Sequence, residues 1–171
     1  MRSLPLLLVL LSWAAPALAA GPAIVDDLGR TVRLEAPARR VVALYGAFNE
    51  TLAGMGLADR LVGRTSADDW PPEIRSLPEI GTHMRPNLER VAALAPDLVL
   101  QQAGRTAALE PVHALERLGV PVAVFRIHSF DTLFSVMRRL GVLLGAGAEA
   151  AALEADMRRR LDAVAARLPE G

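Results

Sequence analysis

Four short apolar runs punctuate the middle of the chain, and their spacing restricts the fold more than any other feature. Val41-Val42-Ala43-Leu44, Leu61-Val62-Gly63, Asp97-Leu98-Val99-Leu100 and Val120-Pro121-Val122-Ala123-Val124-Phe125 are continuous rather than alternating, as strands covered on both faces must be. Pro121 has no N–H to give to a ladder and sits near the start of its run, where that matters least. Between the runs lie stretches with helical stop signals. Phe48 to Met55 is interrupted by Gly54 and closed by Gly56, Asn87 is a good N-cap for a short helix through Leu94, and Thr106 to Leu118 is closed by Gly119. Strands alternating with helices predict an α/β fold: a parallel sheet flanked by helices.

The flanks of this region follow other rules. Ile24-Val25-Asp26 and Thr31-Val32-Arg33-Leu34 read as a small hairpin turning at Gly29. Asp68-Asp69-Trp70-Pro71-Pro72 is turn chemistry, because prolines remove donors and restrict the residue before them. Phe130, Leu133, Phe134, Met137, Leu140 and Leu144 lie three and four apart on one helix. Glu149 to Leu168 then runs without a breaker, enough for about 30 Å of helix at 1.5 Å per residue. Its apolar stripe, Leu153, Met157, Leu161, Val164 and Leu168, is narrow, so this helix is expected to lean along a surface rather than fill a core.

Composition excludes several function classes. The chain holds 19 arginines, no lysine and 19 acidic residues, so it has no net charge and no basic footprint for nucleic acid. It has no cysteine, hence no disulfide framework, thiol nucleophile, Cys-ligated zinc or lipid-modified N-terminal cysteine. Residues 1–19 read as a signal peptide: Arg2, an apolar run from Leu4 to Trp13, and the small-x-small sequence Ala17-Leu18-Ala19. The run falls short of the roughly 20 residues that cross a bilayer. The expected product is therefore exported and soluble outside the cytoplasm, not a lipoprotein.

Seven segments carry a resemblance. Asp26-Asp27-Leu28-Gly29-Arg30-Thr31-Val32, Pro37-Ala38-Arg39-Arg40-Val41-Val42-Ala43-Leu44, Asn49-Glu50-Thr51-Leu52, Gly54-Met55-Gly56, Leu61-Val62-Gly63, Pro86-Asn87-Leu88-Glu89-Arg90 and Leu94-Ala95-Pro96-Asp97-Leu98-Val99-Leu100 resemble, in order and spacing, the periplasmic binding proteins of ABC importers for cobalamin, ferric siderophores and haem. The resemblance implies a monomer in the periplasm, with two α/β lobes joined by one long helix and ligand held in a shallow cleft between them. Residues 23–130 would form the N-terminal lobe, 131–168 the following helices including the interlobe helix, and the C-terminal lobe is absent from this sequence. A single rigid connecting helix implies only small hinge motion.

Ligands of open parallel sheets sit beyond the carboxyl ends of the strands, which singles out three loops. The first holds Tyr45, Gly46 and Ala47, the second Ser66 to Trp70, the third His83, Met84 and Arg85. Gly46 admits close backbone approach, Trp70 can stack on a planar chelate, and Arg85 can pair with a ligand carboxylate or phosphate. In cobalamin-binding relatives the place matched by His83 is a ligand-contacting aromatic; haem-binding relatives carry an iron-ligating tyrosine where this chain has Thr82. No resident metal or cofactor is expected, although the His83 imidazole can serve as an axial ligand to a chelated metal. Glu89 resembles the glutamate with which such proteins dock onto permease arginines; it also suits the first turn of a helix, where a carboxylate favours the dipole.

Other motifs carry less. Gly145-Ala146-Gly147-Ala148-Glu149-Ala150 fits a dinucleotide pattern but follows a helix rather than the required strand. His113 and His128 lack zinc-like partner spacing, and Ser66 beside Asp68 and Asp69 has no nucleophile elbow. The expected function is capture of an iron chelate (siderophore or haem) or of cobalamin and its delivery to an ABC permease/ATPase complex at the inner membrane, without catalysis. An exported chelatase acting on metals and tetrapyrroles through His83 is the alternative.

Overall fold

A computed structural model describes residues 21–104 and 109–167. The expected leader over residues 1–19, the expected helix start at Thr106 and the expected helix end at Leu168 lie outside the described residues.

The four apolar runs form one parallel sheet. Its strands are β3 (Val41–Ala43), β4 (Leu61–Gly63), β5 (Leu98–Gln102) and β6 (Val122–Phe125), in the order β4-β3-β5-β6. Alternate residues of these runs face opposite sides. Val41, Ala43, Leu98, Leu100, Ala123 and Phe125 join one buried cluster with Phe48, Leu52, Val136 and Leu140. Val42, Val99, Val122 and Val124 join another with Val91, Val112 and Leu115. The first cluster brings in α1 (Gly46–Gly54) and α4 (Phe130–Leu144), and the second α2 (Leu88–Ala93) and α3 (Glu110–Arg117). Both faces of the sheet are therefore covered, which is why its strands contain no alternating polar positions.

The expected hairpin is present as β1 (Ala23–Val25) and β2 (Thr31–Arg33), with Gly29 at φ 76° in its turn. It covers the free edge of β6. The Asp27 amide donates to the Val124 carbonyl at 2.9 Å, the Val124 amide donates to Asp26 at 3.3 Å, and Arg139 of α4 grips Asp27 at 2.6 Å. An exposed sheet edge invites pairing with another chain, and this hairpin removes it.

Helix boundaries differ from expectation in ways the backbone explains. α1 begins at Gly46 rather than Phe48, because Tyr45 is already the extended N-cap. α4 opens on a capping box in which Ser129 and Thr132 bond each other's backbone amides, and it ends at Gly145 with φ 59°. The last helix, α5 (Gly147–Ala165), starts two residues earlier than expected. Of its 19 residues only Ala150 is buried, so it does lie along the surface of the unit. Among the described residues no helix is long and apolar enough to cross a membrane.

Candidate functional site

Parallel strands bring their carboxyl ends to one rim, and the loops leaving β3 and β4 meet there. Tyr45 follows β3 and caps α1 in extended conformation. Its ring stands edge-on to Phe48 beneath it, with centroids 6.3 Å apart, and Phe48 rests on Phe125 at 5.9 Å. These two phenylalanines are fully buried, whereas Tyr45 is 41% exposed. A rigid apolar base thus presents the tyrosine ring and hydroxyl to the outside.

The loop after β4 lies against the same spot. A side chain at Gly46 would place its Cβ 2.9 Å from the Asp68 carboxylate, so the glycine lets this loop pack closely without moving that carboxylate. Asp68 is held by the Thr65 hydroxyl at 2.8 Å, and its carbonyl accepts from Arg64 at 3.2 Å. Arg64 is itself paired with Glu79 at 2.7 Å. Trp70 follows, 57% exposed, before the cis Trp70–Pro71 peptide.

The third loop is a tight turn closed by a bridge between Gly81 and Pro86, with Gly81 at φ 93°. Within it Thr82 and Arg85 exchange amide-to-carbonyl bonds of 3.3 and 3.2 Å. The Ser66 amide donates to the Gly81 carbonyl at 2.8 Å, joining the second loop to the third. His83 reaches back to the first loop, its ring edge-on to Tyr45 at 6.3 Å.

The three loops therefore meet around Tyr45, Gly46 and His83. The remaining predicted positions spread outward from that centre. Met84 and Arg85 line a groove of about 370 Å³ between their turn and α3, with Pro111, Ala114 and Arg117 opposite. Ala47 lies on the other flank of α1, in a crevice of about 280 Å³ walled by Ile127, Leu133, Leu153 and Met157. Trp70 makes no ring contact with Tyr45 or His83 among the described residues. Glu89 is exposed in the first turn of α2, whose N-cap Asn87 accepts from the Arg90 amide at 2.9 Å. One participant escaped the sequence reading. Gln101, fully buried at the end of β5, donates through Nε2 to the His83 carbonyl at 3.2 Å. Its only signal is a polar residue continuing a buried apolar run.

Chemically, the three loops offer an aromatic hydroxyl, an imidazole, an indole and a guanidinium. Among the described residues no three His, Asp or Glu side chains are grouped so as to hold a metal ion by themselves. These loop groups can stack on a ring, hydrogen-bond and pair with an anionic group of a bound molecule.

Known proteins resemble the chain in both sequence and fold. An uncharacterized ABC transporter substrate-binding lipoprotein of Bacillus subtilis, YvrC, is 34% identical over 80 residues, 46% of this chain and 25% of that protein. A periplasmic heme-binding protein from Pseudomonas aeruginosa superposes with a TM-score of 0.68 at 30% identity, covering 75% of this chain and 46% of that one. The periplasmic vitamin B12-binding protein of Vibrio cholerae superposes with a TM-score of 0.65 at 25% identity, covering 74% and 49%. The matched part thus spans a quarter of the YvrC relative and just under half of each solved chain. The sequence profile of the periplasmic binding proteins matches residues 41–171, which include the four-stranded parallel sheet and every helix of the described residues. The chain belongs to the periplasmic binding protein family.

Proposed function

We propose that this chain is the ligand-capturing wall of an extracytoplasmic binding component of an ABC importer, and that its ligand is a metal chelate: haem, a ferric siderophore or cobalamin. The observation that carries the reading is the meeting of three loops at the carboxyl rim, where Tyr45 stands edge-on to the buried Phe48 and to His83, and Asp68 of the second loop packs over Gly46. An aromatic wall recognises a flat, polarisable ligand by stacking and area burial. In this reading Tyr45, Gly46, Ala47, Trp70, His83, Met84 and Arg85 contact the ligand, and the His83 imidazole is placed to meet a chelated metal. Residues 23–130 act as the N-terminal lobe, and α5 with its one buried residue is the helix leading to a second wall.

Glu89 supplies the contact to the permease. Its carboxylate is exposed in the first turn of α2, where it can meet a permease arginine. Capture and delivery involve no bond making, so saturable binding without turnover is the expected behaviour.

The test is titration of the exported full-length gene product with haemin, cyanocobalamin and a ferric siderophore, followed by tryptophan quenching and the visible spectrum. Saturable binding of one of them with no product formed supports the proposal. Metal insertion into a free tetrapyrrole, or no binding of any of the three, overturns it. Glu89→Ala is expected to leave ligand affinity unchanged while reducing uptake in cells.

A further inference from the structure

We infer that Gln101 is a positioning residue whose buried amide ties the His83 turn to the central strand and so holds the imidazole edge-on against Tyr45. The consequence for ligand capture rests on the function proposed above; the geometric claim does not.

β5 lies between β3 and β6, and its residues alternate between faces. Val99 belongs to the α2 and α3 side, so Gln101, two residues on, faces that side too, where the turn before α2 passes. An apolar residue there would extend the run Leu98-Val99-Leu100 without penalty. A fully buried amide instead requires partners for both its ends. The Oε1 end accepts from the Gln102 backbone amide at 2.9 Å, which fixes which way the amide faces. The Nε2 end is therefore the one directed at the turn, where it donates to the His83 carbonyl at 3.2 Å.

The other bonds of the turn do not do this work. Those between Thr82 and Arg85 are internal to it. Those from Ser66 to Gly81 and from Asn87 to Ile80 secure its base. The bond from Gln101 joins the tip itself to the sheet. The His83 side chain is exposed, so no core packing holds its ring, and its edge-on contact with Tyr45 depends on where the backbone beneath it is held. Gln102 makes the corresponding gesture on the other face, its Nε2 lying 3.5 Å from the Ile127 carbonyl at the entrance to α4. The end of β5 thus reaches toward the loops on both of its sides.

Two substitutions in the full chain separate positioning from simple burial. Gln101→Glu keeps an oxygen for the Gln102 amide and removes the donor to His83; Gln101→Met keeps length and volume and removes the bonds to both Gln102 and His83. Amide hydrogen exchange without ligand is the primary readout. Thr82 and Arg85 should exchange about three- to tenfold faster in either variant, as loss of one tethering bond permits, while α2 and Leu98–Leu100 keep their protection. Unchanged exchange at Thr82 and Arg85, or equal acceleration throughout β5 and α2, overturns the inference. If one variant does not fold, the other decides by the same readout. Haemin and cyanocobalamin titrations form the second arm. If wild type binds either one, at least threefold weaker binding by a variant supports positioning and equal binding refutes it. If wild type binds neither, the proposed function fails for those ligands while the exchange result still decides the role of Gln101.

Discussion

Arg60 is nine-tenths buried and, among the described residues, makes no ion pair. Its guanidinium instead donates to the carbonyls of Ala38 at 3.0 Å and Leu144 at 2.6 Å, joining the segment before β3 to the end of α4. A cation at a helix carboxyl terminus meets the negative end of its dipole, so these two bonds are worth more than neutral ones. Arg60→Met is expected to lower the unfolding free energy by about 2–4 kcal/mol, because it leaves buried acceptors without donors. Denaturation in urea measures this, and a loss below about 1 kcal/mol would show that water replaces the guanidinium without penalty. Asp27 tests electrostatics at the same scale. Burial pushes its carboxyl up, but the bond from Arg139, the Arg126 amide and both arginine charges together hold it below the ordinary value. A depressed carboxyl contributes stability that is complete once the unfolded group is ionised, above about pH 3.9. That contribution disappears as pH falls through the lower folded value. The stability gap between wild type and Asp27→Asn should therefore be constant near neutrality and narrow below about pH 4, measured by denaturation across an acid series. A gap that persists unchanged into acid would mean that Asp27 acts through shape alone.

Elements were legible wherever one physical cause dominated. The strands declared themselves because a double-sided sheet needs continuous apolar runs, and each run forms the expected strand within two residues. The hairpin turn followed from Gly29, whose φ of 76° a side chain would resist. Gly141 was another matter. By propensity it weakens the interior of α4, and the sequence offers no reason for it. The structure does: a Cβ there would lie 2.9 Å from the Ala150 Cβ and 3.2 Å from the Gly147 backbone, so this glycine lets α4 and α5 touch. Such a reason lies in the partner helix, not in the local sequence, and the same is true of Gln101 and of Gly46 under Asp68. The three loops of the rim could be found from strand direction, but not which residues in them touch. Gly141→Ala is expected to destabilise by about 1–3 kcal/mol even though alanine is the better helix former. Gly54→Ala provides the contrast, since the atoms it meets are the mobile methyl groups of Leu153, and its change should stay within about 1 kcal/mol. Equal effects in thermal or urea unfolding would remove the close-contact explanation of Gly141.

At the scale of the molecule, a parallel sheet is polar in the sense that its two rims are chemically unlike. The amino-terminal rim carries a wide groove of about 510 Å³ between Arg33, Glu35, Pro37, Pro96 and Pro121, and a smaller one of about 290 Å³ beside Arg30 and Val122. Volume alone would place a ligand there. The residues say otherwise: that rim presents prolines, backbone and charges already used to fasten the hairpin, such as Arg30 between Asp26 and Glu116. The carboxyl rim presents an aromatic pair on a buried aromatic base, and loops rather than strand starts, so its surface can vary without disturbing the sheet. Placement of the ligand by chemistry rather than by hollow size leads to opposite expectations for the two rims. Tyr45→Ala should weaken binding of haemin or cyanocobalamin, whichever the protein takes up, by about three- to twelvefold, the range that loss of one aromatic contact commands. Arg33→Ala, on the exposed side of the larger groove, should leave the same affinity within about twofold, because a surface charge far from the contact is screened by salt. Calorimetric titration of the two variants side by side distinguishes the rims. Weakened binding by Arg33→Ala with Tyr45→Ala unchanged would move the site to the amino-terminal ends of the strands, and with it every role assigned to the three loops.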